Sequence, residues 1–178
     1  SGIPLPIRAI LSFWTVPQFV HLCDMRNVSR IRKDGIRARR LAAGGKGLYA
    51  TPVLRDYYRS HQWLRELRRR GTRVISAVQF RVPDEAEVLV GRYDEDPVLM
   101  SATEAVQVFR GHDSGLGLEV ILTESIPASW ITRIYTPDQV VGWRYYPESH
   151  GRKPCGCPSC QRGQMKCRGL RRGYEDGW

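Results

Sequence analysis

Leu118-Glu119-Val120-Ile121-Leu122 is an apolar run with one acid in it. A carboxylate in such a strand needs either a wet face or a task, because burying it unpaired is costly. Strict alternation puts Glu119 on a solvent face, and periodicity alone favours that reading. The second reading gains weight from the order of the segments on either side.

Upstream, Ser101-Ala102-Thr103-Glu104 is a capping-box signature and predicts a short helix to Phe109, with a glycine-rich break from Gly111 to Gly117 before the acid-bearing strand. Glu87 to Tyr93 reads as a strand. Arg73 to Val82 alternates, with Val74, Val78, Phe80 and Val82 on one face, and these two strands are expected to pair. Pro52 to Arg70 reads as a helix, with Tyr57, His61, Leu64 and Leu67 on one face and Gly71 after its end. The Arg68-Arg69-Arg70 run suits the negative end of that helix dipole.

Closer to the N-terminus, Ala43 to Gly47 is a flexible loop before a short Leu48-Tyr49-Ala50 strand. Phe19-Val20-His21-Leu22 is a strand leading into a helix capped near Cys23 or Asp24; Met25, Val28 and Ile31 recur at helical spacing and Gly35 ends it. Downstream of Glu119, a turn or short helix begun at Pro127 leads to a strand from Ile131 to Tyr135. Strands and helices in this mixed order give an α+β class.

The 178 residues fit one domain, and 42% hydrophobic with 26% charged residues is the balance of a chain that buries a core. No run of about 18 apolar residues is present, and the first residues lack a signal-peptide pattern, so a cytoplasmic protein without membrane contact is expected. Lys and Arg number 28 against 18 Asp and Glu, a net charge of +10. Its clusters at Arg26 to Arg40, Arg65 to Arg73 and Arg152 to Arg172 point to nucleic acid or a phosphate-rich ligand. For each cluster taken alone a solvated surface is the better reading; the three together favour the phosphate-bearing partner.

Four of the five cysteines fall in Cys155-Gly156-Cys157-Pro158-Ser159-Cys160 and Cys167. Pairs spaced this closely, with Gly and Pro between, let a tight turn aim several thiolates at one centre, as tetrahedral zinc requires. Disulfides between such neighbours would be strained. The fourth ligand is Cys167 or His150, and four protein ligands would make the zinc structural. Cys23 reads as a small buried hydrophobe. Trp143, Tyr145 and Tyr146 beside Arg144 are either a stacking platform for an unpaired base or core aromatics beneath the zinc loop.

The order of parts resembles the ADP-ribosyltransferase superfamily, in its poly(ADP-ribose)-polymerase-like and DarT-like branches. The likeness rests on Phe19-Val20-His21-Leu22 through Gly35-Ile36, on Gly47-Leu48-Tyr49-Ala50-Thr51-Pro52, and on Leu118 to Leu122 with Ile126-Pro127 and Ile131 beyond, covering residues 19–135. The resemblance implies a split, mixed or antiparallel sheet with flanking helices, here closed by a C-terminal zinc-binding loop. A catalytic domain over 1–147 follows from it, and the cysteine cluster, which lies outside the shared pattern, adds a basic zinc-binding extension over 148–178 packed on that domain.

It further implies NAD as substrate and Glu119 as the carboxylate that binds a ribose hydroxyl and stabilises an oxocarbenium-like sugar. His21 and Tyr49 complete the catalytic set, and Leu22, Asn27, Tyr57 and Tyr58 join His21 and Tyr49 around the cofactor, with Arg26 or Arg55 near the pyrophosphate. A nucleic-acid acceptor follows from the charge, a monomer is expected, and an antitoxin or regulatory partner is left open. Two other readings stand beside this one: a noncatalytic, zinc-containing nucleic-acid-binding module, and an RNA 2′-phosphotransferase-like enzyme, which would need several arginines and a histidine around a phosphate.

Overall fold

The first strand, β1 (Gln18–Asp24), ends in an aspartate whose side chain accepts a hydrogen bond from the Arg26 backbone N–H and so starts the helical segment that follows. The computed structural model describes residues 16–41, 44–69, 71–92, 95–111 and 116–138. A 3₁₀ turn over Met25–Asn27 leads into α1 (Val28–Asp34), and β2 (Arg39–Arg40) and β3 (Lys46–Pro52) come next. Because the first turn is 3₁₀, Met25 leaves the expected apolar stripe and is 50% exposed, whereas Ile31 is buried. Gly35 ends α1 at φ 80°; a Cβ there would lie 2.0 Å from the Ile126 carbonyl oxygen, so only glycine lets Ile36 exchange both backbone hydrogen bonds with Ile126.

The helix expected over Pro52 to Arg70 is two short ones, α2 (Tyr57–Ser60) and α3 (Leu64–Arg69), and Pro52 belongs to β3. The break has a cause in side-chain bonding. The Ser60 hydroxyl accepts from Leu54 N–H at 2.8 Å, while Gln62 and Trp63 turn aside to bond Gly117 N–H at 2.7 Å and the Leu118 carbonyl at 3.1 Å. One nearby backbone group, at Leu54, and two far along the chain, at Gly117 and Leu118, thereby outcompete helix continuation.

The remaining elements are β4 (Ile75–Arg81), β5 (Glu87–Arg92), β6 (Val98–Ser101), α4 (Ala102–Gly111), β7 (Leu118–Leu122), a 3₁₀ turn at Ala128–Trp130 and β8 (Ile131–Tyr135). The capping box forms as read: Ser101 N–H donates to Glu104 Oε2 at 2.8 Å, and Glu104 N–H donates to Ser101 Oγ at 3.2 Å.

All pairings are antiparallel, in the order β6-β5-β7-β3-β1-β4-β8, with β2 joined to β3, eight strands in all. The expected pairing of β4 with β5 does not occur. Val82 N–H bonds Pro17, and Asp84 and Ala86 accept from Thr103 and Ala102, so the connection is drawn across the molecule instead of closing a hairpin.

Phe19, Leu48, Ala50, Val78, Phe80, Val88, Val90, Leu118, Val120 and Leu122 form the core on one face of the sheet, against Ile31 of α1 and Ala102, Ala105 and Phe109 of α4. Ile75, Ala77 and Leu64 are buried apart from that cluster, where α3 packs on β4. This double cover is why Ile75 to Val78 are buried without alternation.

The centre of the sheet is not continuous. β1 follows β4 through seven residue pairs from Gln18↔Arg81 to Asp24↔Ile75, yet it pairs with β3 only at Phe19↔Pro52 and Val20↔Thr51. Beyond Val20 the two strands part. The sheet therefore splits into a β1-β4-β8 half and a β6-β5-β7-β3 half.

Candidate functional site at the split between β1 and β3

His21 is the first residue of β1 past the split. Its Nδ1 lies 2.7 Å from the carbonyl oxygen of Tyr49 on β3; since a carbonyl only accepts, Nδ1 carries the proton and donates. Burial holds the His21 pKa below its ordinary value; the bond to Tyr49 opposes this, and the charges of Arg30 and Arg39 add to the lowering. The ring is thus neutral near pH 7, with Nε2 left as an acceptor.

Side chains on a strand alternate between faces. Tyr49 lies opposite Ile121, and Glu119 is two residues before Ile121 on β7, so Tyr49 and Glu119 are diagonal neighbours on one face, about 7–8 Å apart at the backbone. Val20, opposite Thr51, shares that face, which puts His21 on the other one; it reaches the Tyr49 carbonyl through the split. Tyr49 is 39% exposed. Glu119 is half-buried, between buried Leu118 and Val120 and opposite Gly91 of β5. Ile121, on the Glu119 face, is 7% exposed, so that face is not simply wet.

The other expected residues are more dispersed. Leu22 is half-buried on β1, opposite Ala77. Asn27 occupies the cap position of α1 without a side-chain capping bond. Tyr58 lies half-buried in α2. Arg26 is committed elsewhere, its Nε and Nη2 donating to both carboxylate oxygens of Asp24 at 3.0 and 2.8 Å, and Arg55 is exposed in the bend before α2. Cys155, Cys157, Cys160, Cys167 and His150 lie outside the described residues. Among the described residues, no group of three or more His, Cys, Asp or Glu side chains is placed to hold a metal ion, and no helix is long and apolar enough to cross a membrane.

Tyr57 begins α2 with its ring stacked on His61, centroids 4.0 Å apart and planes 21° from parallel. His61 is 4% exposed; its Nδ1 donates to the Tyr57 carbonyl at 2.8 Å, and its Nε2 accepts from the Tyr135 hydroxyl at 2.7 Å. The Tyr57 hydroxyl accepts from Asp138 N–H at 2.7 Å. Tyr135 lies opposite Ala77, which lies opposite Leu22, so the cluster anchors α2 to the row of β1 that opens at the split. Sequence reading placed His61 on the helix face but gave no sign of this cluster, because Tyr135 is 74 residues away.

No protein-family model, curated protein or solved structure matches the chain.

Proposed function

We propose that this chain is an NAD-dependent ADP-ribosyltransferase acting on nucleic acid, with Glu119 as its catalytic carboxylate. One observation carries the reading: His21 closes on the Tyr49 carbonyl at the split in the sheet, and the next strand bears Glu119 on the face of Tyr49. A dinucleotide threaded through the split meets His21 from one face and Glu119 from the other. The Nε2 atom of His21 accepts from a ribose hydroxyl, and Tyr49 and Tyr57, both more than a third exposed, offer ring faces to nicotinamide. The Glu119 carboxylate accepts from the hydroxyl of the reacting ribose and faces the positive charge that grows at its C1.

In that step the bond from C1 to the nicotinamide nitrogen breaks, with both electrons going to the ring, which leaves neutral. An acceptor lone pair forms the new bond to C1, and the acceptor's proton passes to Glu119 or to water. The net charge of +10 and the exposed Arg32, Lys33, Arg37, Arg40 and Lys46 favour a nucleic-acid acceptor over a protein. Structural zinc on the C-terminal cysteines belongs to the same proposal.

The test is nicotinamide release from NAD, with transfer of labelled ADP-ribose to DNA, RNA or protein. Glu119→Gln keeps shape and much of the NAD affinity but removes the charge, and its rate should fall on the order of 10²–10³. Full activity in that variant would remove Glu119 from the mechanism.

The 2′-phosphotransferase reading is favoured by a separate observation, the buried Nη1 of Arg30 on α1, which has no hydrogen-bond partner. It differs in outcome: NAD-dependent loss of phosphate from 2′-phosphorylated RNA should then survive Glu119→Gln.

A further inference from the structure

The sheet ends at β6 on one side and at β8 on the other, and the two edges are finished differently. On β8 the exposed side chains are Thr132 and Arg133, the latter with its guanidinium 4.5 Å from the centre of the Tyr135 ring. Polar and charged side chains of this kind keep an edge strand from pairing with another chain. On β6 the exposed side chains are Val98 and Leu99, at 62% and 56% the two most exposed large apolar residues among those described. Val98 lies opposite Val90 of β5 and Leu99 opposite Leu89, so the strand shows apolar side chains on both faces. Among the described residues no strand pairs with its outer edge, where alternate residues turn N–H and C=O away from β5. Beside that edge, Val98, Met100, Gln107 and Val108 line part of a groove of about 550 Å³ between β6 and α4.

Charge singles out the same edge. Residues 82–109 hold seven of the chain's 18 acids and a single cation, Arg92, in a protein of net charge +10. Glu95 and Asp96 precede the strand, Glu87 lies opposite Ser101 at its far end, and Glu104 follows in the first turn of α4; all four are exposed. Among the described residues the ion pairs formed are Arg26–Asp24 and Arg37–Asp34, so none of these acids is neutralised by one.

We infer that β6 is a docking edge for a partner protein, which adds to the sheet an extended, basic segment with alternating apolar side chains. Main-chain hydrogen bonds to the free edge hold the segment, and Val98, Leu99 and the groove take its alternate side chains. Its lysines or arginines meet Glu87, Glu95, Asp96 and Glu104. The same charges decide against other occupants. A second copy paired strand to strand about a two-fold axis brings Glu95 and Asp96 of one copy beside Glu87 and Glu104 of the other, a meeting of like charges. Nucleic acid, a polyanion, is repelled by the same acids. The inference stands apart from the NAD reading, because β5, β7 and β3 lie between β6 and the split.

The probe is a fluorescein-labelled peptide in which valine and threonine alternate between paired lysines at each end. It is titrated into the full chain by fluorescence anisotropy, and amide hydrogen exchange is read on the complex. The peptide should bind, with protection gained at the amides of β6. The double variant Val98→Lys, Leu99→Lys changes two exposed side chains and should weaken binding about tenfold or more, since it sets cations against a basic ligand. Glu95→Lys with Asp96→Lys should weaken it similarly and flatten its salt dependence. Thermal melting checks that both proteins are folded. Replacing the peptide's lysines with glutamates should abolish binding. Of two peptides N-methylated on the valines or on the threonines, at least one should lose binding with its charge unchanged. Methylated peptides that both bind as the parent does, or a Val98→Lys, Leu99→Lys protein that binds as wild type does, would overturn the inference. So would a wild type that leaves the lysine peptide free. A wild type that sediments as a dimer, and as a monomer in the Val98→Lys, Leu99→Lys variant, would assign the edge to a second copy, and an oligonucleotide that protects the same amides would assign it to nucleic acid; either result overturns the proposal.

Discussion

His21 on β1 holds the backbone carbonyl of Tyr49 on β3 at 2.7 Å, one residue beyond the last pair that joins the two strands, Val20↔Thr51. Backbone pairing stops there and a side chain takes over. The imidazole thus joins the two halves of the sheet just past the end of their backbone pairing, and that bond leaves its second nitrogen as an acceptor.

That double duty separates two effects of substitution. His21→Ala loses the bond to Tyr49 and should lower stability by about 1 kcal/mol, a typical net value for one hydrogen bond. It should also raise the KM for NAD together with its loss of turnover. His21→Asn, which retains a donor of shorter reach, should recover stability more than activity. Denaturant unfolding and nicotinamide-release kinetics on the two variants check this, and equal activity in all three proteins would leave His21 with a purely structural part.

How much of the fold is legible in the sequence depends on the range of the interactions involved. Gly35, the Ser101–Glu104 capping box and the strand from Leu118 to Leu122 are local signals, and each is found where the local pattern put it. The split between β1 and β3 is not local: nothing in Val20 or Thr51 announces that their pair is the last. The interrupted helix after β3 failed for the same reason, since Gln62 and Trp63 follow bonds to residues 55 positions away. Within the site, His21, Tyr49 and Glu119 were legible as residue types in strands. Arg30 was visible only as a member of a basic cluster, and what sets it apart, burial of Nη1 without a hydrogen-bond partner, exists only after folding.

The cysteine cluster gives a prediction that rests on spacing alone. Cys155, Cys157, Cys160 and Cys167 should bind about one zinc per chain, measured by elemental analysis of protein purified without added metal. Cys157→Ser should lower stability and zinc content together, and impair stability more than nicotinamide release, because thiolate–zinc bonds contribute directly to folding. Metal-free protein with an unaltered melting temperature would exclude the site.

Acid should destabilise the fold beginning near pH 6.5, and the cause lies in two histidines. Both His21 and His61 have pKa values lowered from 6.5, with burial as the first cause in each case. Between the ordinary and the lowered values the unfolded chain binds protons that the folded chain refuses, so folding stability rises with pH through this window and is lost as pH falls. Above about pH 7.5 neither state holds the protons and the effect vanishes. The limiting slope for two such groups is about 2.7 kcal/mol per pH unit. The Asp24 and Glu104 carboxylates, also lowered, act below their ordinary range and so outside this window. For His61, protonating Nε2 removes the acceptor of the Tyr135 hydroxyl and puts charge beneath the stacked Tyr57 ring. Melting temperatures should therefore drop steadily from pH 7.5 to 5.5, and His61→Gln, although less stable at pH 7.5, should show a shallower drop. A flat profile in the wild type between those values would contradict the burial of both rings.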